Sequence, residues 1–173
     1  MNVQTWAALC HEEDADAATA LLWWAVEYVR LNGFQVACAL NPLDGEGRRI
    51  SSRLHTWPAE AVFSVLQDLG CGSTACNLDS GGLAAAAATV ENALPDRPDL
   101  VVLNKFGRAE AQNGGLRSAF LSAASAGIPV LTRIQRSQLP EWQAFCGSMG
   151  QVLPPERGAL RDWLDACVLA NQM

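Results

Sequence analysis

The chain alternates short runs of consecutive apolar residues with longer segments whose apolar positions recur at helical spacing. Thr5 to Cys10 is the first such run and predicts a strand; the polar stretch His11 to Asp16 follows, then a long apolar segment that ends at Asn32-Gly33. This reads strand, loop, helix, with Asp14 or Asp16 as cap and Gly33 just beyond the helix end. Ala17, Ala18, Leu21, Leu22, Trp23, Trp24, Ala25, Val26, Val29 and Leu31 cover almost the whole circumference, so the helix is expected to be deeply buried, with Trp23 and Trp24 in the domain's own core. Phe34 to Leu40 predicts a second strand, closing a β-α-β unit with parallel strands. Residues 41–47 (NPLDGEG) form a turn, and Arg48 to Thr56 reads as extended.

Residues 58–69 read two ways. Val62, Val65, Leu66 and Leu69 sit at helical spacing behind Pro58, whereas Ala61 to Leu66 also fits a strand paired with Arg48 to Thr56. Beyond the small-residue loop Gly70 to Asn77, an alanine-rich helix starts at Asp79 or Ser80 and is stopped by Pro95-Asp96-Arg97-Pro98. Leu100 to Leu103 is a continuous apolar run of the kind buried on both faces of a sheet. After a polar loop, Leu116 to Ala126 reads as helix with Gly127 behind it, and Ile128 to Ile134 as strand. Ser137 is expected to cap a short helix carrying Trp142 and Phe145. Pro154-Pro155 leads into a terminal helix with Leu160, Trp163, Leu164, Cys167 and Val168 on one face. Helices alternating with apolar strands predict a single three-layer α/β domain over residues 1–173 with a mostly parallel sheet.

Composition narrows the function. Of the 173 residues 50% are hydrophobic, enough for a core that needs neither disulfides nor a structural metal, so the six cysteines are not a scaffold signal. The N-terminus lacks the basic start of a signal peptide, which points to a cytoplasmic protein with reduced thiols. The apolar run Ala20 to Val26 is far shorter than the roughly 20 residues that cross a bilayer, so no membrane span is expected. A net charge of −6 argues against nucleic acid as partner. Lys105 is the only lysine among twelve basic residues. A phosphate loop of the G-x-x-x-x-G-K-[ST] type therefore cannot exist, and the acidic loop His11 to Asp16 occupies the place where it would lie.

Ligands of parallel sheets bind beyond the carboxyl ends of the strands, which makes three loops candidates. The first, with His11, Glu12, Asp14 and Asp16, reads as solvated charge beside a helix N-terminus in preference to a metal site. The second, Asn104 to Gly115, joins Lys105, Arg108 and Arg117 to the amides of Gly114 and Gly115, a set suited to a small anion. Its structural alternative is a turn in which Lys105 or Arg108 pairs with Glu110. Gly107 stands where a guanine-reading N-K-x-D motif requires Asp. The third loop offers Ser73, Thr74, Cys76, Asn77 and Asp79 as neutral or capping partners. Cys71-x₄-Cys76 lacks a second ligand pair, Cys38 and Cys167 fall on apolar faces, and His11 and His55 define no dyad. No metal, cofactor or catalytic residue is expected.

Gln67 to Gly70, Cys76-Asn77-Leu78-Asp79 with Leu83, the stretch from Leu103 to Glu110 (LNKFGRAE) and Gly127 to Thr132 together resemble an uncharacterised bacterial family whose members are often encoded beside molybdate-uptake genes. The chain is also distantly similar to small nucleoside-triphosphatases of P-loop fold, which carry a β-hairpin after the second strand and D-E-x-G-x-x-E at the end of a buried strand. The resemblance implies a P-loop NTPase-like scaffold with a degenerate phosphate loop and a hairpin over Ala61 to Leu66. It sets Asn104 at the metal-binding Asp, Lys105 at the adjacent Glu and Glu110 at the final Glu, so two carboxylates are lost. The expectation is a non-catalytic protein of molybdenum or oxyanion homeostasis, holding molybdate or a similar small anion, or a nucleotide, at Asn104, Lys105, Gly107, Arg108, Glu110, Gly114, Gly115 and Arg117, with Ser73, Thr74, Cys76, Asn77 and Asp79 nearby; the molybdenum link rests on the resemblance alone. Two alternatives stand beside it. One is a divergent nucleotide phosphohydrolase or transferase with Glu110 as base and a metal held by the acidic loop; the other is a protein-interaction module or homodimer using Trp23, Trp24 or the Ala84 to Ala88 face.

Overall fold

The computed structural model describes residues 4–66 and 79–170. Among these, seven strands join one sheet: β1 (Trp6–His11), β2 (Val36–Leu40), β3 (Arg53–Trp57), β4 (Ala61–Ser64), β5 (Leu100–Leu103), β6 (Val130–Gln135) and β7 (Gly150–Leu153). Their order is β4-β3-β2-β5-β6-β1-β7. The five strands from β2 to β7 in that order run parallel, while β3 and β4 form an antiparallel hairpin on the edge. This is an α/β fold with a mostly parallel sheet between helices, consistent with a P-loop-like scaffold.

The apolar runs are continuous because both faces of the sheet are covered. Trp6, Ala8, Ala37, Ala39, Val101, Leu103, Val130 and Ile134 point to one face and pack under α2 (Ser80–Ala93), α4 (Arg117–Ser125) and α5 (Leu139–Cys146). Ala7, Leu9, Val36, Cys38, Leu40, Leu100, Val102 and Leu131 point to the other, under α1 (Ala15–Leu31) and α6 (Arg157–Leu164).

Local chemistry sets the helix ends. Asp14 caps α1 by accepting the Ala17 amide at 2.9 Å, and Asp79 caps α2 by accepting the amides of Gly81 and Gly82 at 3.0 and 3.1 Å. At Gly82 a Cβ would collide with the Ser64 carbonyl, so the start of α2 lies directly on the hairpin. The hairpin settles Ala61 to Ser64 as strand. Bulky groups at Val62 and Phe63 follow the alternation of a pleated edge, so Val62 belongs to a strand and not to a helix; residues 67–69 and the loop Gly70 to Asn77 lie outside the described residues.

Several expectations need correction. Helix α1 is buried along one side only, with Leu31 80% exposed and Trp23 and Trp24 half-buried. A helix lying on one face of a sheet has an outer side whatever its sequence. Trp23 still packs against the core and donates its indole N–H to the Asn41 carbonyl at 2.8 Å. Of Arg48 to Thr56 only the part from Arg53 is strand, because Asp44 accepts the amides of Glu46 and Arg48 and coils the preceding segment. Ser137 caps nothing: it lies in a 3₁₀ turn (Arg136–Gln138) before α5. The terminal helix ends in a π-type turn (Asp165–Leu169), which keeps Cys167 and Val168 buried. The sequence reading passed over β7 and a one-turn helix, α3 (Arg108–Ala111).

Candidate functional site

Strands β1 and β6 are neighbours, but the chain leaves them on opposite faces. From β1 it runs through α1 to β2, beyond β6 and β5; from β6 it runs through α5 on the other face to β7, beyond β1. The two connections diverge and open a crevice at the carboxyl ends of these strands, the place where open α/β sheets bind ligands. A cleft of about 310 Å³ lies there. His11, Glu12 and Glu13 line it from the end of β1, Arg133, Gln135 and Gln138 from β6, Lys105, Gly107 and Arg108 from the loop after β5, and Arg49 from the segment before β3.

Arg133 is the least expected of these residues. It sits mid-strand with only 4% of its surface exposed, on the same face as Leu131, opposite Leu9 in the β1 register. Its Nη1 lies 3.2 Å from Nε2 of His11, itself buried at the end of β1. A guanidinium only donates, so Nε2 accepts and the neutral imidazole carries its proton on Nδ1. Nε and Nη2 of Arg133 are buried and have no partner among the described residues. Nor does any described carboxylate stand within ion-pair distance of it. Burial, then the charge of Arg49, pulls its pKa down to about 10, which leaves it charged at neutral pH. Burial also lowers the pKa of His11, and the Arg133 charge adds to the shift.

The loop after β5 is fixed from both ends. Asn104, buried, accepts the Asn41 amide at 2.9 Å on its side-chain oxygen and so ties the end of β5 to the end of β2. The Phe106 ring is buried against Trp142, Phe120 and Phe145, with centroids 5.0–5.9 Å apart. Between these anchors Lys105 is exposed and faces the cleft. Glu110 is 3% exposed, and its carboxylate accepts the amides of Gly107 at 3.0 Å and Leu116 at 3.2 Å. It closes the loop around α3.

The remaining predicted site residues are distributed by that closure. Gly114 donates its amide to the Ala109 carbonyl at 2.7 Å, and Gly115 adopts φ +59° with its Cα against the Glu110 carboxylate. Arg117 donates to the Glu110 carbonyl at 2.8 Å and covers the Phe145 ring at 4.7 Å. Gly114, Gly115 and Arg117 thus line a separate hollow beside Ser80, while Lys105, Gly107 and Arg108 line the cleft. Asn104 and Glu110 lie behind the loop, on a neighbouring pocket with Asn41 and Arg49. Asp79 caps α2; Ser73, Thr74, Cys76 and Asn77 lie outside the described residues. Sequence reasoning missed Arg133, Arg49, Gln135 and Gln138. One signal was available: a charged residue, Arg133, within the mostly apolar run Ile128 to Ile134.

Other features contribute less. A larger groove of about 710 Å³ lies at the opposite end of the sheet, around Arg30, Trp57 and Pro98, where Arg30 covers the Trp57 ring at 4.0 Å. Its charged lining is Arg30 and Asp96, which do not make a convergent set. No group of acidic, His or Cys side chains with metal-binding geometry occurs among the described residues. None of the described helices is long and apolar enough to cross a membrane.

Fold and cleft together are those of an α/β domain, consistent with a P-loop-like scaffold, whose switch-point crevice is lined by Arg49, Lys105, Arg108 and Arg133 together with Glu12 and Glu13. The chain belongs to the family described as "Protein of unknown function (DUF2478)", whose model matches residues 6–163. It is also 35% identical over 159 residues to a protein of Bradyrhizobium diazoefficiens named "Molybdenum import ATP-binding protein ModC 2". That match covers 91% of this chain but 18% of the relative, so the chain spans less than a fifth of the length of the protein it matches. No solved structure matches the chain.

Proposed function

We propose that the switch-point cleft binds a small oxyanion of the molybdate class, and that the domain serves molybdenum or related oxyanion homeostasis as a non-catalytic ligand-binding module on a degenerate P-loop-like scaffold. One observation carries this reading: Arg49, Lys105, Arg108 and Arg133 face a single cleft in a chain of net charge −6. The acidic loop offsets part of that charge, since Asp16 pairs with Arg49 at 3.4 Å, while Glu12 is engaged by Arg136 at 3.2 Å and Arg133 has no described carboxylate within ion-pair distance. The printed name of the Bradyrhizobium relative supports molybdenum as the context. A hydrolase gains no support from Glu110, both of whose oxygens accept backbone amides.

The test is a thermal-shift and calorimetric titration with molybdate, with sulfate and Mg-ATP in parallel. A ligand at one hundred times its Kd raises the melting temperature of a domain this size by roughly 5–10 °C. Molybdate is expected to do so, and Lys105→Ala or Arg108→Ala to weaken binding without unfolding the chain. No response to either oxyanion overturns the reading. The relative's name also motivates a nucleotide ligand, and a response to Mg-ATP alone replaces the oxyanion reading with that one.

A further inference from the structure

Resting on the oxyanion reading, we infer that Arg133 is the residue that grips the ion, through the paired N–H groups of Nε and Nη2, and that His11 positions it by holding Nη1. The argument is geometric. In a guanidinium, Nε–H and Nη2–H point the same way and form a planar fork that matches two oxygens of one carboxylate, phosphate or tetrahedral oxyanion. In this structure the third nitrogen, Nη1, is engaged with His11 Nε2 at 3.2 Å, while the two nitrogens of the fork are those left without a partner.

Such a fork is costly to keep. A buried guanidinium with no carboxylate within ion-pair distance forfeits solvation that, among the described residues, the single contact to His11 returns only in part, and natural cores carry few such groups. Arg133 is only 4% exposed, on a strand whose other buried positions are apolar but for Thr132, and the Thr132 hydroxyl is satisfied by the Leu103 carbonyl. A side chain that stabilised the fold would have its donors satisfied; one that waits for an anion would have them aligned and dry in the wall of the cleft it lines, where a small shift of that wall exposes them. Gln135 and Gln138 add neutral polar groups around the same space, and Lys105 and Arg108 supply long-range attraction at its mouth.

Two oxygens on one centre are what the fork reads, so sulfate, molybdate and phosphate share the recognised chemistry, and chloride lacks it. Isothermal titration of the full chain with sodium molybdate, sulfate and chloride separates the claims. Arg133→Lys keeps the charge and removes the fork; it is expected to weaken oxyanion binding about a hundredfold, the loss of two charge-assisted hydrogen bonds, and more than Lys105→Ala does. Arg133→Met is expected to melt no lower than the wild type, because it removes an unpaired buried charge. His11→Phe is expected to weaken binding, and His11→Gln, which keeps an acceptor for Nη1, to restore most of it.

Wild-type binding that Arg133→Lys leaves within about threefold overturns the fork while the oxyanion reading survives. Failure of the wild type to bind any oxyanion sinks that reading, and this inference with it. An Arg133→Met protein that melts well below the wild type shows Arg133 to be a structural residue and overturns the assignment. A further measurement needs no variant: the side-chain ¹⁵Nε–H resonance of the buried arginine is expected to move on sulfate titration, and its indifference while the protein binds sulfate overturns the inference.

Discussion

The amide of Phe106 donates to the carbonyl of Arg133 at 3.0 Å. The loop that presents Lys105 is therefore fastened to the residue whose buried guanidinium lines the same cleft. The same Phe106 sends its ring into the aromatic cluster between the sheet and α5. Core packing and the position of the cationic loop are thus one arrangement, and damage to the first displaces the second.

Phe106→Ala empties a fully buried aromatic site and is expected to cost about 3–5 kcal/mol of stability. Urea unfolding measures this directly. Phe106→Leu keeps most of the volume and is expected to fall well short of that loss. Equal stability of Phe106→Ala and the wild type would show that the ring is no anchor.

Glu110→Gln separates a structural carboxylate from a catalytic one. The carboxylate accepts two amides, and a Gln can accept through one oxygen only while its NH₂ faces the other N–H. An expected loss of about 1–3 kcal/mol should appear together with faster hydrogen exchange at Gly107 or Leu116. Unchanged stability and exchange, with loss of a phosphate-releasing activity, would move Glu110 into the chemistry instead.

The pH dependence of stability follows from His11. Arg133, Arg49, Asp14 and the Glu12 backbone face it, and burial together with Arg133 leaves its folded pKa below the ordinary value of 6.5. The unfolded chain then binds the proton more readily than the folded one, so this contribution is fully present above about pH 6.5 and is lost as the pH falls through and below it. Urea midpoints between pH 8 and pH 5 should fall more steeply for the wild type than for His11→Gln. Parallel curves would remove His11 as the source.

The described cysteines should be slow to react. Cys10, Cys38, Cys146 and Cys167 are buried, and burial pushes the thiols of Cys38 and Cys167 up to about 12 and about 11. In a variant with Cys71→Ser and Cys76→Ser, a disulfide reagent is expected to label the native protein only at the rate of unfolding and the denatured protein at once. Rapid native labelling of that variant would contradict the packing around β2 and the C-terminal helix.

The sequence displayed the scaffold more openly than the site. Leu100 to Leu103 and Trp6 to Cys10 are legible because a strand covered on both faces has no polar position to interrupt it. Asp14, Asp79, Gly33 and Gly127 are legible because cap chemistry is local. Arg133 is not, since a single arginine in a strand reads equally as an outward residue, and only the β1 register and the cover of α1 show that it points inward beside His11. Gly114 and Gly115 mislead for the opposite reason. They lie close in sequence to Lys105, but the turn of α3, held by Glu110, carries them round to another hollow. β7 is four residues long and begins with Gly150-Gln151, too short and too polar at its start to stand out before its pairing with β1 is known.

An unfilled fork at Arg133 also bears on how long the protein lasts. Proteases cut chains that open, and an ion held only by the folded form lowers the open population by the factor that its concentration exceeds its Kd. The empty domain is then the more perishable form. With limiting thermolysin, the digestion half-life of the wild type should lengthen with added molybdate while that of Arg133→Met stays constant; equal response of the two would break the link. Turnover would thereby follow ion supply with no dedicated sensor, through nothing more than two guanidinium nitrogens that the described residues leave unanswered.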